Sequence, residues 1–312
     1  MKSTWSDVLI LTLISVCPFH TWGQPTTKVN EQIISAISKF RAEYCASMLE
    51  AKTDRLQRYY SDTLRLMPPF QKTVLGKINA SSYYNAFTDR FMIHTCTLKE
   101  VEVLDLGPQV LEIGVMTMRM TLKSTGKEFD IAGKYLNLWV KTINNEPRLL
   151  TQAWNFDQYY ADLHDHLRFE NVPSVLIALQ PNIPVTNDIQ FELAALNRLL
   201  DATITNHDGK TWSLYYCDDG KLMASYYPMN VGRKAIDDYI QMHVKELPTF
   251  EELDIRNDRI DELGNYIVEY ASHIASWKNG NRSGVGLGKN IRIWRREPNH
   301  ALKLFRSISM YD

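Results

Sequence analysis

The sequence predicts an α+β protein made of two tandem copies of one domain, each placing its helices first and a long antiparallel sheet after them. Three observations carry this: a long internal repeat, helical periodicity early in each copy, and period-two alternation late in each copy. The nonapeptide YYSDTLRLM at 59–67 returns as YYCDDGKLM at 215–223. At an offset of 156, Tyr59, Tyr60, Asp62, Leu66, Met67, Gly76 and Tyr83 fall on Tyr215, Tyr216, Asp218, Leu222, Met223, Gly232 and Tyr239, seven identities in 25 columns. At an offset of 155, Gly133, Lys134, Trp139 and Leu149 fall on Gly288, Lys289, Trp294 and Leu304. A period this long duplicates a whole domain, because the units of solenoids run to only about 20–50 residues.

The first copy opens with NEQIISAISKFRAEYCASMLEA, where Ile33, Ile37, Phe40, Tyr44, Met48 and Ala51 recur every three or four residues, as on the buried face of a helix. Its counterpart, DIQFELAALNRLLDATITN, has Asp188 as the expected N-cap and a stripe of Ile189, Leu193, Leu196, Leu200 and Ile204. The tyrosine pair and a turn-rich stretch follow. Gly76 and Gly232 then open a second helix, KINASSYYNAFTDRF or RKAIDDYIQMHVKEL, the latter stopped by Pro248. The remainder reads as strands. LKEVEVLDLG turns at Gly107 and Pro108 into VLEIGVMTMRMTL, and IRNDRIDELG turns into NYIVEYASHIASW. GKYLNLWVK and LLTQAWNF close the first copy, as GKNIRIWRR and ALKLFRSISMY close the second. The run SGVGLGK precedes a strand rather than a helix, so a flexible connection is expected there, not a phosphate cradle.

A chain of 312 residues has room for two such cores. Its 45% hydrophobic and 23% charged residues are those of a folded globular protein. With 35 basic and 36 acidic residues, the formal charge of −1 supplies no field for nucleic acid, and no such partner is expected. Residues 1–23 read as a secretory signal peptide, with an apolar run from Val8 to Val16 that is shorter than the roughly 20 residues a bilayer requires, so no membrane span is expected. Cleavage before Gln24 gives a secreted or periplasmic protein; lipoprotein anchoring at Cys17 is the alternative. The expected organisation is a first domain at 24–160, a linker at 161–187 and a second domain at 188–312. Beyond the leader, Cys45, Cys96 and Cys217 read as three buried thiols, with a Cys45–Cys96 bridge as the competing reading.

In both copies the ordered set of a leading helix, an acid after aromatics (Asp62, Asp218), a G-[KR] helix start (Gly76, Gly232) and a late G-K-x-x-x-x-W strand (Gly133 to Trp139, Gly288 to Trp294) resembles the nuclear transport factor 2-like (NTF2-like) superfamily. Its SnoaL-like branch, which includes ketosteroid isomerase and polyketide cyclases, is the nearest likeness. The resemblance implies a cone-shaped domain, with a strongly curved antiparallel sheet wrapped over about three helices and a small-molecule pocket inside. That fold serves catalysts and plain binding modules alike, so it does not select a function.

In the second copy His273 and Glu269 share a strand face, and His243 lies one helical turn beyond Tyr239. His243, His273, Glu269 and Tyr239 are therefore the candidate acid–base set of an isomerase, cyclase or dehydratase needing no cofactor. Phe87 and Thr117 stand at the histidine positions in the first copy, which confines that chemistry to one domain. In the first copy Tyr83, Tyr135, Asn137, Trp139 and Asn155 are the candidate ligand-binding residues, suited to stacking and hydrogen bonding, with core or interdomain packing as the competing role for the tryptophan. Asp62 and Asp218 read as turn or capping residues, and the HDH run at 164–166 lacks a third ligand, so no metal is expected. The favoured function is binding of a small apolar or ring-bearing ligand, or of a protein partner, without catalysis. The protein is expected to be a monomer through pairing of its two domains, or a homodimer.

Overall fold

The computed structural model describes residues 28–144 and 146–312. The expected signal peptide and Cys17 lie outside the described residues. The first copy comprises α1 (Glu31–Glu50), a 3-10 turn (Thr53–Tyr59), β1 (Tyr60–Met67), β2 (Val74–Leu75), α2 (Lys77–Arg90), β3 (Phe91–Asp105), β4 (Gln109–Leu122), β5 (Glu128–Val140) and β6 (Arg148–Phe156). The second repeats the order with α3 (Asp188–Thr205), a short α4 (Gly209–Ser213), β7 (Tyr216–Met223), β8 (Asn230–Val231), α5 (Gly232–His243), β9 (Thr249–Leu263), β10 (Tyr266–Asn279), β11 (Arg282–Arg296) and β12 (Leu302–Tyr311).

The leading helices form where the apolar spacing places them, and α1 buries Ile33, Ile37, Phe40, Tyr44 and Met48. Ala51 is not part of that stripe: it ends the helix in a left-handed conformation, φ 54°. The N-cap of α3 is Asn187, whose side chain accepts from the Gln190 amide, so Asp188 is the first helical residue rather than the cap. Gly76 and Gly232 precede or begin α2 and α5 at φ 86° and 81°, a region side chains rarely adopt. The acids after the tyrosines bridge to the base that follows each glycine: Asp62 to Lys77 at 2.5 Å and Asp218 to Arg233 at 3.1 Å. These pairs are exposed and hold the turn more than they stabilise the fold.

Each half carries one six-stranded sheet, ordered β2-β1-β6-β5-β4-β3 and β8-β7-β12-β11-β10-β9. The sheets are mixed and do not close, which corrects the expected all-antiparallel arrangement. The stretch after the tyrosines is a strand, and it runs parallel to the last strand of its copy, pairing Met67 with Ala153 and Met223 with Ile308. Bulges between Ile93 and Thr95 and between Glu100 and Glu102, and again between Tyr270 and Ala271 and between Ser276 and Trp277, bend the long hairpins over the helices. SGVGLGK is part of β11, not a flexible connection. A Cβ on Gly284 would lie 2.9 Å from the Trp277 ring and one on Gly288 2.2 Å from the His273 ring, so these glycines let two rings lie flat on the strand.

The outer faces of the two sheets pack on each other. Leu111, Ile113, Leu136 and Leu138 from one meet Val268, Tyr270, Ile291 and Ile293 from the other in a single buried cluster. Around it the contacts repeat with the copies exchanged. The Phe70 amide donates to the Tyr311 carbonyl, and the Tyr226 amide donates to the Phe156 carbonyl, each at 2.8 Å. Buried Lys134 reaches the Tyr227 carbonyl and buried Lys289 the Gln71 carbonyl. Arg65 pairs with Asp258 at 2.5 Å, and Lys221 with Glu102 at 3.0 Å. Such reciprocity is the mark of an isologous, two-fold interface, here formed within one chain. The linker packs along it: Thr73 bridges to Val175, and Ile177 and Ala178 are buried.

Cys45 and Cys96 are joined, tying α1 to β3, which corrects the reading of three free thiols. Cys217 is free and buried. No described helix is long and apolar enough to cross a membrane.

Candidate functional site

Between α3, α5 and the inner face of β10–β12 the second domain encloses a cavity of about 320 Å³. The corresponding space in the first domain is about 20 Å³. Strand register shows why. Gly133 and Gly288 are repeat partners; opposite Gly133 lies Met116, and opposite Gly288 lies His273. The first-copy position matching His273 is thus Met116, not Thr117, because the copies differ in length between α2 and the β3–β4 turn. Two residues along the same strands, Met118 faces Ile131, whereas Ala275 faces Gly286. On the last strand Trp154 stands where the second copy has Ser309. Three large side chains give way to smaller ones, and a filled cone becomes a hollow one. The linker adds to the filling of the first: Leu163, Leu167 and Phe169 are buried in its core.

His243, His273 and Tyr239 all line the cavity, together with Asn290 and Arg292. Tyr239 and His243 stack at 5.2 Å between ring centroids, one turn apart on α5. The Nδ1 of His243 is buried without a partner, and burial holds its pKa below the usual histidine value. His273 is pushed down to about 4, by burial first and then by the Arg292 charge; its Nδ1 lies 3.4 Å from the Asn290 amide. Both imidazoles are therefore neutral near pH 7.

Glu269 does not join them. Four residues along a strand is about 13 Å, too far for a carboxylate to orient the His273 ring. Its oxygens instead accept from Asn197 at 2.7 Å and Trp294 at 2.7 Å, with Arg292 at 3.6 Å. The expected histidine–carboxylate pair is not assembled, and Glu269 is a buried anchor for the leading helix.

Of the first-domain candidates, Tyr83 lines that domain's space of about 20 Å³, and the other four do not. Tyr135, Asn137 and Trp139 each donate to Glu112 at 3.0 Å, a fully buried carboxylate on β4 that the sequence reading passed over. Arg41 completes the set at 2.8 Å. Tyr83 packs among Tyr84, Trp154 and Phe169. Asn155 crosses to the other domain, donating to the Met223 and Ser309 carbonyls at 2.9 and 2.7 Å. All five are packing or interface residues, since the side chains that would have faced a ligand fill the cone themselves.

No protein-family model and no curated protein matches the chain. Among solved structures, one similar protein is a ketosteroid isomerase-like protein from Erwinia carotovora atroseptica, at 16% identity over 38% of this chain and 92% of that one, with a TM-score of 0.34. An NTF2-like protein with a cystatin-like fold from Novosphingobium aromaticivorans is 15% identical over 39% of this chain and 80% of its own, TM-score 0.32. An NTF2-like superfamily protein from Salmonella enterica serovar Typhimurium is 14% identical over 42% and 96%, TM-score 0.36. Each of these likenesses covers 38–42% of this chain.

One further residue of the second copy escaped the sequence reading. Asp201, one turn along α3 from Asn197, occupies the repeat position of Cys45; burial raises its carboxyl to about 7, against the Ile255 backbone and the Arg292 charge, which lower it. The signal that could have found it is an acid at a position whose repeat partner, Cys45, is an apolar residue half-buried against the core of the first copy. Among the described residues no three His, Cys, Asp or Glu side chains converge as metal ligands; His164 instead stacks on Tyr159 and meets Phe70 at a tilt.

Proposed function

We propose that the chain is a secreted, non-catalytic binding protein whose second domain takes a small apolar or ring-bearing molecule and whose first domain is its filled structural partner. The observation that carries this reading is the contrast between a cavity of about 320 Å³ in one copy and about 20 Å³ in the other. A space of that size holds roughly ten waters' volume, and apolar walls with a few placed polar groups suit a compact organic ligand. Tyr311 lines the cavity and is 42% exposed, so the wall reaches solvent there. The Cys45–Cys96 bridge supports an oxidising compartment. Titration with two naphthalene probes, neutral 2-naphthamide and anionic 2-naphthoate, tests the reading: saturable binding of at least one is expected, and binding of neither up to the solubility limit would overturn it.

A second reading is favoured by His243 and His273 reaching one cavity with neutral rings. It makes the second domain a cofactor-independent isomerase, cyclase or dehydratase, with proton transfer by these imidazoles and not by Glu269. Should turnover of any candidate be found, His243→Gln and His273→Gln must reduce it by at least about a hundredfold to sustain that assignment.

A further inference from the structure

The two copies neutralise the same buried carboxylate from opposite sides. In the first, the cation is Arg41 on α1, and the strand position beside Glu112 holds Asn137. In the second, the repeat partner of Arg41 is Asn197, and the partner of Asn137 is Arg292 on β11, beside Glu269. The exchange moves the guanidinium from the leading helix to the wall of the cavity.

It also leaves that guanidinium short of partners. Arg41 is held by two carboxylates, Glu112 at 2.8 Å and Glu100 at 2.9 Å. Among the described residues Arg292 has one carboxylate partner, Glu269 at 3.6 Å, and one hydrogen bond from Nη1 to Asn197 Oδ1 at 2.8 Å. Its side chain is 9% exposed, it lines the cavity, and no Asp or Glu shares that lining. A guanidinium offers five donors in a planar fork matched to a carboxylate. Asn290 adds an amide to the same wall, and His273 beside it stays neutral. Asp201 feels the Arg292 charge and is bonded to the Ile255 backbone, but among the described residues it makes no ion pair with Arg292, and it is not among the lining residues.

We infer that the ligand of the second domain is a monoanion, an apolar or aromatic body bearing one carboxylate, which docks on Arg292 and Asn290 in the place that Glu100 takes on Arg41. The inference rests on the binding reading above and narrows it to one ligand chemistry. The remaining walls, including Leu200, Leu222, Ala275 and Leu304, receive the apolar body.

The test uses two probes of one shape, 2-naphthoate and 2-naphthamide, titrated at pH 7.5 against the full-length mature chain. Naphthoate is expected to bind at least tenfold more tightly. Arg292→Met should erase that preference, read as the ratio of the two probes' affinities for the same variant. Because the single variant strands Glu269, the charge-balanced Arg292→Met/Glu269→Gln double variant is measured beside it. Equal affinity of the wild type for both probes, or a preference that survives in the double variant, overturns the anion assignment and leaves the pocket reading standing. Binding of neither probe overturns both.

Discussion

Trp154 and Ser309 occupy the same place in their domains, each two residues before the aromatic that pairs with the glycine of the G-K strand. One closes its cone and the other leaves its cone open. The pseudo-two-fold core formed by the sheets is kept in both copies, and the inner faces differ. A duplicated domain can diverge in this way because the shared interface supports both halves, freeing one inner face from the demands of close packing.

Removing the plug from the first domain should be costly. Trp154→Ala leaves a void against Tyr83 and Tyr84, and a loss of about 3–5 kcal/mol is expected in urea unfolding. Ser309→Ala, at the matching position, should change stability by less than about 1 kcal/mol.

Glu112 accepts three hydrogen bonds and one ion pair while fully buried. Glu112→Ala should destabilise the chain by about 3–5 kcal/mol, because Arg41 and the Trp139 N–H lose their buried partner. Arg41→Asn with Asn137→Arg, which writes the second domain's arrangement into the first, should recover part of a single-variant loss; the comparison is a double-mutant cycle read by chemical denaturation.

His273 is held at about 4 in the folded protein, below its unfolded value near 6.5. Between those values the unfolded chain binds the additional proton, so stability falls as pH is lowered through that window, by up to about 2 kcal/mol between pH 6.5 and 5. His273→Gln should remove that part of the slope. Proton NMR of the His273 ring should show no titration above about pH 5.

The Cys45–Cys96 bridge closes a segment with a sequence separation of 51, for which chain entropy gives roughly 4 kcal/mol. Urea midpoints with and without a thiol reductant measure it. An unchanged midpoint after complete reduction would show that packing of α1 on β3 suffices alone.

Much of this architecture was legible in the chain. The repeat, the stripes of α1 and α3, the glycine helix starts and the late hairpins all follow from spacing, because single faces of regular elements impose single periods. The strand from Tyr60 to Met67 was hidden because its exposed centre is flanked by buried residues on consecutive positions, the pattern of a strand covered on both sides at one end. The glycine run of β11 looked like a loop because its strand character comes from the rings of Trp277 and His273 lying on it, which are long-range facts. Glu269 and His273 looked like a pair because period two shows a shared face but not a distance. The open cone becomes visible in the sequence only once register fixes Met116 against His273 and Trp154 against Ser309.

The most direct test of the central claim, that one cone is hollow and receives a ligand, is titration of 2-naphthamide against the wild type and Ser309→Trp. The account predicts saturable binding to the wild type and at least a tenfold loss in the variant, with the fold retained by circular dichroism. Undiminished binding to a folded Ser309→Trp protein would place the ligand elsewhere and contradict the account.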